Sequence, residues 1–349
     1  RGDMTTPERI AGPTPSPEKR DQNVPRTCYR DTDGHLWRDL PPKDLVRALR
    51  SNEGQLWVDI DSTNRHQHAV LEKIFQFHPL AIEDTLNPQS RVKVEEYDGY
   101  LFIIVRVVRF REETMEDPYD LETVNLYLFL GQNFLVTVHA EPSASVATIA
   151  DLVTRNPDVL GRGTARLAHM VLDSAIDAYF PILDQLDEFI DTLEARVFGK
   201  FDEAVLHEIF SVKRMVISLR RYLAPQREVF NVLTNRPSAF LPHETQFYFR
   251  DVYDHMLRIT ESLDNYRDLL SSTLEAYLSQ VSNRLGLVTK GLAVVATLSV
   301  PFVVVAGMYG MNFERIPLAS HPQGFWILVG IQLAIGLALI TFFRLRRWF

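Results

Sequence analysis

The residue with the most to offer chemically is an amide. Asn312 follows Ala306-Gly307-Met308-Tyr309-Gly310-Met311 and precedes Phe313, at the end of a long stretch without charge. Gly307 and Gly310 let the chain leave a helix and turn tightly. The Asn312 carboxamide oxygen can then accept hydrogen bonds without adding a fixed anion. Taken alone, an Asn after Gly is more often a helix cap or a turn. Other chemistry-bearing types are sparse. Cys28 is the one cysteine, which excludes an internal disulfide and a cysteine-based zinc site. His66 and His68 form an HxH pair, but positions two apart on a helix face different ways, so both read as ordinary surface residues. Spacing yields no nucleophile–base pair and no Walker-type glycine loop, so an enzyme is not expected.

The elements that must position Asn312 are apolar. Residues 291–309 and 325–343 carry no charge. As helices rising ~1.5 Å per residue, each nearly matches the ~30 Å hydrocarbon core of a bilayer. Two such runs in tandem predict an integral membrane protein with two C-terminal spans. Arg284 and Lys290 precede the first, and Arg344, Arg346 and Arg347 follow the second. The connecting loop has only Arg315, beside Glu314. Positive flanks stay in the cytoplasm, so both termini are expected inside and the loop outside, in a multi-pass protein of the cell (inner) membrane. Trp326 and Trp348 sit where interfacial aromatics belong.

Upstream, four segments are expected: a disordered tail over 1–26, an α/β domain over 27–164, a helical stalk over 165–290 and the membrane domain over 291–349. The tail has no apolar core for a secretory leader, and Met4 is a candidate start. In the α/β domain, residues 56–60, 100–110, 123–130 and 134–139 read as strands, with a turn at Asp98-Gly99 and a hairpin at Gly131-Gln132-Asn133. Residues 68–77 have helical spacing, and the sheet topology is left open. Ile182, Leu183, Leu186, Phe189, Ile190, Leu193 and Val197 mark one stalk helix, stopped at Gly199. A second is expected from 202 to 223, ending before Pro225, with Leu206, Ile209, Phe210, Leu219 and Tyr222 inward. Between Pro242 and Gly286 there is neither proline nor glycine, and Val252, Met256, Ile259, Leu263, Tyr266 and Leu270 form a heptad seam. One helix from near 245 to near 307 would be about 90 Å long at ~1.5 Å per residue. Such a helix needs partners, so self-association is expected. The formal net charge of −8 argues against a nucleic-acid binder.

In this setting the YGMNF segment resembles the CorA family of divalent-cation channels. His78–Asn87 (HPLAIEDTLN), Tyr248–His255 (YFRDVYDH) and Tyr277–Asn283 (YLSQVSN) also resemble family segments, so the likeness runs from about residue 50 to the end. It implies an α/β cytoplasmic domain, a long-helix stalk and two spans assembled as a funnel-like homopentamer, with the first span lining the pore. Tyr309, Gly310, Met311 and Asn312 would form the selectivity loop, with Glu275, Thr289, Leu292, Ala296, Val300 and Val303 along the pore. Asp84 and Asp251 match the family's cytoplasmic cation-sensing carboxylates between subunits, and Glu83 adjoins. Mg²⁺ dehydrates reluctantly, so a ring of amides that binds its water shell suits it. Gly286, Thr289, Ala293 and Val303 stand where family members commonly carry Asn, Met, Thr and Thr. Fewer oxygen donors leave Co²⁺, Ni²⁺ and Zn²⁺ open beside Mg²⁺, as cargo and as regulatory ion. The alternatives are a zinc transporter of the same fold and a non-conducting, membrane-anchored coiled-coil sensor.

Overall fold

The computed structural model describes residues 23–51, 53–110, 121–199, 202–311, 317–318 and 321–346. The expected tail over 1–26 lies almost wholly outside them, as do Asn312, Glu314, Arg315, Arg347 and Trp348. The first part of the chain runs β1 (Arg26–Arg30), β2 (Leu36–Arg38), α1 (Pro42–Ser51), β3 (Gln55–Asp61), α2 (Arg65–Lys73), α3 (Pro79–Leu86), β4 (Lys93–Tyr97), β5 (Tyr100–Phe110), β6 (Leu121–Leu130) and β7 (Phe134–His139). Then follow only helices: α4 (Ala144–Arg155), α5 (Asp158–Gly161), α6 (Thr164–Asp177), α7 (Phe180–Val197), α8 (Ala204–Asn235), α9 (His243–Tyr309) and α10 (Gly324–Leu345).

The seven strands form one sheet in the order β2-β1-β3-β7-β6-β5-β4. Only β3 and β7 pair in parallel, with Leu56 opposite Phe134 and Asp61 opposite His139. The central strands are apolar on both faces: Phe102, Ile103, Ile104 and Val105 are all fully buried. That continuous run, in place of an alternation, is what a sheet covered on both sides requires. One face packs on Leu45 and Ala48 of α1, Leu71 of α2 and Ala81 of α3, and α6 and α8 pack on the sheet as well. Gly99, at φ +87°, makes the tight turn from β4 to β5. Gly131 has no room for a Cβ because the Phe134 ring lies over it, and its N–H donates to Phe134 O at 2.8 Å.

Two expectations need correction, and a third shifts. Helix α8 does not stop before Pro225 but runs through it to Asn235. Proline costs a helix one hydrogen bond, and the tertiary contacts of Gln226, Val229, Phe230 and Leu233, all buried just beyond it, outweigh that. Phe210 is not inward but 46% exposed; the seam is Val205, Ile209, Val212, Val216, Leu219 and Leu223. Helix α2 begins earlier than expected because Asn64 Oδ1 accepts from the N–H groups of His66 and Gln67, capping the helix at Arg65. It also ends earlier: Gln76 takes φ +55°, and Phe77 turns into the core.

Five of the six stalk-seam residues, Val252, Met256, Ile259, Leu263 and Leu270, are fully buried, while Tyr266 is half-buried, along α9, an unbroken helix of 67 residues that contains Pro301. By contacts the chain divides into two units, one comprising 1–194 with 203–271, the other 195–202 with 272–349. Among the described residues two helices are long and apolar enough to cross a membrane, α9 and α10; the second unit holds the C-terminal part of α9, from Ser272, and the whole of α10.

Candidate cation sites and the pore helix

In the first unit, α6 and α9 bring acids and imidazoles together. One-turn spacing puts Asp173 and Asp177 on one face of α6, and Asp251 and His255 on one face of α9. Ligand atoms of Asp173, Asp251 and His255 all lie within 4.8 Å of one another. His255 Nδ1 stands 3.1 Å from Asp177 Oδ1 and 3.9 Å from Asp173 Oδ1. Burial, and then the neighbouring Asp177, hold the Asp173 carboxyl above the usual carboxylate range. Its buried Oδ1 has no hydrogen-bond partner among the described residues. A half-buried carboxylate, crowded by acids and with one oxygen short of donors, is one that a cation would stabilise. Nearby, burial, then the Arg166 guanidinium, push His169 down to about 4, so it stays neutral at physiological pH.

Asp84 lies elsewhere in that unit, on α3, and neither it nor Glu83 belongs to this group of three. Thus the chain by itself brings Asp251 to Asp173 and His255, not to Asp84. Ser90 Oγ donates to Asp84 Oδ1 at 2.8 Å, and Lys93 Nζ is 2.8 Å from Oδ2. Glu83 points to solvent. Sequence reading missed Asp173, Asp177, His169 and Lys93. The signal for the first two was present in the i, i+4 repeat of acids on α6, which pairs with Asp251 and His255 on α9. His66 is exposed as expected, but His68 is not a plain surface residue. Its Nε2 lies 2.8 Å from Thr85 Oγ1, tying α2 to α3, and burial pushes its pKa down.

In the second unit, Thr289, Leu292, Ala296, Val300 and Val303 follow one another by three or four residues along α9 and are all exposed, Leu292 and Val303 by 67% and 68%. The side toward α10 is different: Val294 is buried, and Phe302 lies where a Cβ on Gly336 would meet its ring at 3.2 Å. At about 100° per residue, the exposed stripe falls largely on the face away from that contact. Glu275 is exposed on the same helix. The helix ends at Tyr309, where Gly310 N–H donates to Ala306 O at 3.0 Å. The Tyr309 hydroxyl donates to Pro317 O at 2.6 Å, tying the end of α9 to a residue beyond Asn312 in the sequence. Met311, the last described residue before Asn312, is exposed.

An α/β unit followed by a helix that runs on into the first of two apolar helices of membrane-spanning length is the plan of a two-span membrane protein. The family model for the CorA-like Mg²⁺ transporter protein matches residues 52–347, and the chain belongs to that family. It is a membrane protein and a divalent-cation channel. It is 29% identical over 318 residues to the putative metal ion transporter YfjQ of Bacillus subtilis, covering 91% of this chain and 96% of that one. It is 29% identical to the cobalt/magnesium transport protein CorA of Thermotoga maritima, covering 89% of each. The structure of the CorA magnesium transporter from Methanocaldococcus jannaschii superposes with a TM-score of 0.78 at 22% identity, over 91% of this chain and 97% of that one, and so shares its fold.

Proposed function

We propose that five copies of this chain form an inner-membrane channel that admits Mg²⁺ passively into the cytoplasm and closes when internal divalent cation is plentiful. The observation that carries this reading is the exposed stripe from Thr289 to Val303, on a helix that ends at Tyr309-Gly310-Met311. Five such stripes facing one another would make an apolar wall able to gate by dewetting, while lipid covers the rest. Asn312 would ring the outer mouth and hold the ion through its water shell. Both termini lie in the cytoplasm, as the flanking arginines and Lys290 support. An inward-negative potential favours entry of a divalent ion by about 4.6 kcal/mol per 100 mV, so no other energy source is needed.

Closure would come from Asp84, Glu83 and Asp251. In the assembled ring, Asp84 of one subunit would meet Asp251 of the next, beside Asp173 and His255. Bound cation neutralises these acids and favours the closed state, through its higher affinity for that state. Carboxylates alone suit Mg²⁺; the His255 imidazole adds Co²⁺, Ni²⁺ and Zn²⁺ as regulatory ions.

Uptake into proteoliposomes, with Mg²⁺, Co²⁺, Ni²⁺ and Zn²⁺ in competition, tests the reading. Asn312→Ala is expected to abolish uptake while the pentamer persists, and internal Mg²⁺ is expected to inhibit the wild type but not Asp84→Asn/Asp251→Asn. Zn²⁺ outcompeting the others would make this a zinc transporter, and full flux in Asn312→Ala would reduce the loop to a plain turn.

A further inference from the structure

Asp84 does not wait for a cation with free oxygens. Ser90 holds Oδ1 and Lys93 Nζ holds Oδ2, each at 2.8 Å. The same ammonium lies 2.8 Å from Glu95 Oε2, which also accepts from the Tyr97 hydroxyl at 2.9 Å. Lys93 therefore bridges two carboxylates from different elements, Asp84 on α3 and Glu95 on β4. The Lys93 and Asp84 side chains keep only 30% and 25% of their surface in water, so their contact is screened less than an open surface pair. Burial tends to lower the Lys93 pKa, but the hydrogen bonds and charges of Asp84 and Glu95 outweigh it and raise the value overall, which keeps the ammonium charged. For Tyr97, burial and then the bond to Glu95 push the phenol up to about 12, so it remains a donor.

We propose that Lys93 is a built-in competitor for the regulatory cation, occupying Asp84 when divalent ion is scarce and passing to Glu95 when the ion binds. This rests on the reading of Asp84 as a regulatory ligand. A metal ion at Asp84 would share the carboxylate with the ammonium now on Oδ2, and two cations on one carboxylate repel. The handover needs little motion, because Lys93 already touches Glu95. Cation binding at Asp84 is then an exchange of one positive charge for another. The apparent affinity falls by the fraction of Asp84 that Lys93 holds, which raises the ion concentration at which the channel closes. The same exchange limits how much repulsion builds up when the site empties, because each Asp84 keeps a positive partner.

The test uses the full chain in proteoliposomes, with Mg²⁺ as the only divalent ion. It reads the internal Mg²⁺ concentration that halves uptake and the concentration that half-protects the chain from chymotrypsin. Lys93→Met keeps the aliphatic stem and removes the charge, and both midpoints are expected to fall by about threefold or more, the scale of a partly exposed ion pair. Glu95→Gln removes the receiving carboxylate, and both are expected to rise. An unchanged or raised midpoint in Lys93→Met overturns the proposal, the raised one marking Lys93 as a support that orients Asp84. If Lys93→Met does not assemble, Glu95→Gln decides: a rise supports the exchange, and no change or a fall overturns it. Asp84→Asn separates the two levels. Wild-type midpoints there would remove the regulatory reading and this proposal with it. Loss of the Mg²⁺ response there, with Lys93→Met unmoved, would remove the proposal alone.

Discussion

Nδ1 of His255 lies 3.1 Å from Oδ1 of Asp177, joining the stalk end of α9 to the last turn of α6. Asp251 is one turn away from His255, and Asp173 one turn away from Asp177, so four polar side chains face one another across two helices. An imidazole among carboxylates is a mixed donor set. It discriminates little among hard ions but favours the later transition metals. His255→Ala should therefore weaken Co²⁺ binding by about tenfold and Mg²⁺ binding far less, whereas Asp251→Asn should weaken both. Titration calorimetry of the full chain in detergent reads the difference. Equal losses for the two ions in His255→Ala would mean that the imidazole is not a ligand.

A second prediction concerns how the α6–α7 link and α8 hold the sheet. Strand β4 pairs with β5 only as far as Ile104, so the outer edge of β5 is bare from there on. At Arg106 two side chains replace the missing strand. Gln226 Oε1 accepts from the Arg106 N–H at 2.9 Å, and the Tyr179 hydroxyl donates to Arg106 O at 3.0 Å. Gln226 is fully buried. Gln226→Leu keeps its bulk but strands a backbone donor, at a cost of about 1–3 kcal/mol. Tyr179→Phe should cost about 1 kcal/mol through the lost donor. Thermal melts followed by near-ultraviolet circular dichroism would measure both. A Gln226→Leu protein as stable as the wild type would show that water or a backbone shift satisfies Arg106.

These side-chain substitutes explain what the sequence could and could not tell. The spans and the four long strands were legible as near-continuous apolar runs, and the stalk seam as a heptad repeat. The seam at Val252, Met256, Ile259 and Leu263 is buried where the heptad spacing puts it. Strands β1, β2 and β4 are short and lie toward the sheet's edges, so they carry too few apolar positions to show a period. Pro225 was read by its local rule, which tertiary burial of the next turn overrides. The cation cluster was half legible. Asp251 was found through its segment, but Asp173 lies about 80 residues earlier in a helix whose face only the packing reveals. Lys93 lay beyond reach, because an ion pair across a loop leaves no periodic trace.

The two spans meet at a glycine. At Gly336 a Cβ would sit 3.2 Å from the tip of the Phe302 ring, tight but against a side chain able to give way. Gly336→Ala should be tolerated. Gly336→Leu adds a branched side chain that must push α10 away from α9, and small residues at such contacts are what let membrane helices approach. The leucine variant is expected to lose most of its oligomer on size-exclusion chromatography in mild detergent. Retention of the wild-type profile would show that α10 makes no essential contact at Gly336.

The last prediction follows from a buried relay at the ends of the two parallel strands. Trp57 Nε1 donates to Thr137 Oγ1 at 3.2 Å, and Thr137 Oγ1 donates to Asp59 Oδ1 at 2.7 Å. The same carboxylate oxygen lies 3.0 Å from His139 Nε2, with each side chain only 12% exposed. Burial works to lower the His139 pKa, but the hydrogen bond and charge of Asp59, helped by Glu141 and Asp61, outweigh it and raise the value. A histidine whose folded-state pKa lies above its unfolded value binds its proton more tightly when folded. That stabilisation is complete below the unfolded pKa of about 6.5 and is lost as pH rises through the folded value. Asp59→Asn removes the charge that holds the proton while keeping an acceptor for Thr137. The variant should melt below the wild type at about pH 6, and the gap should shrink as pH climbs past the folded pKa of His139. Melting curves of both proteins from about pH 5.5 to about pH 9 would show it. A gap that stays constant across that window would make the relay a neutral hydrogen-bond chain, and one that widens with pH would reverse the assigned direction of the shift.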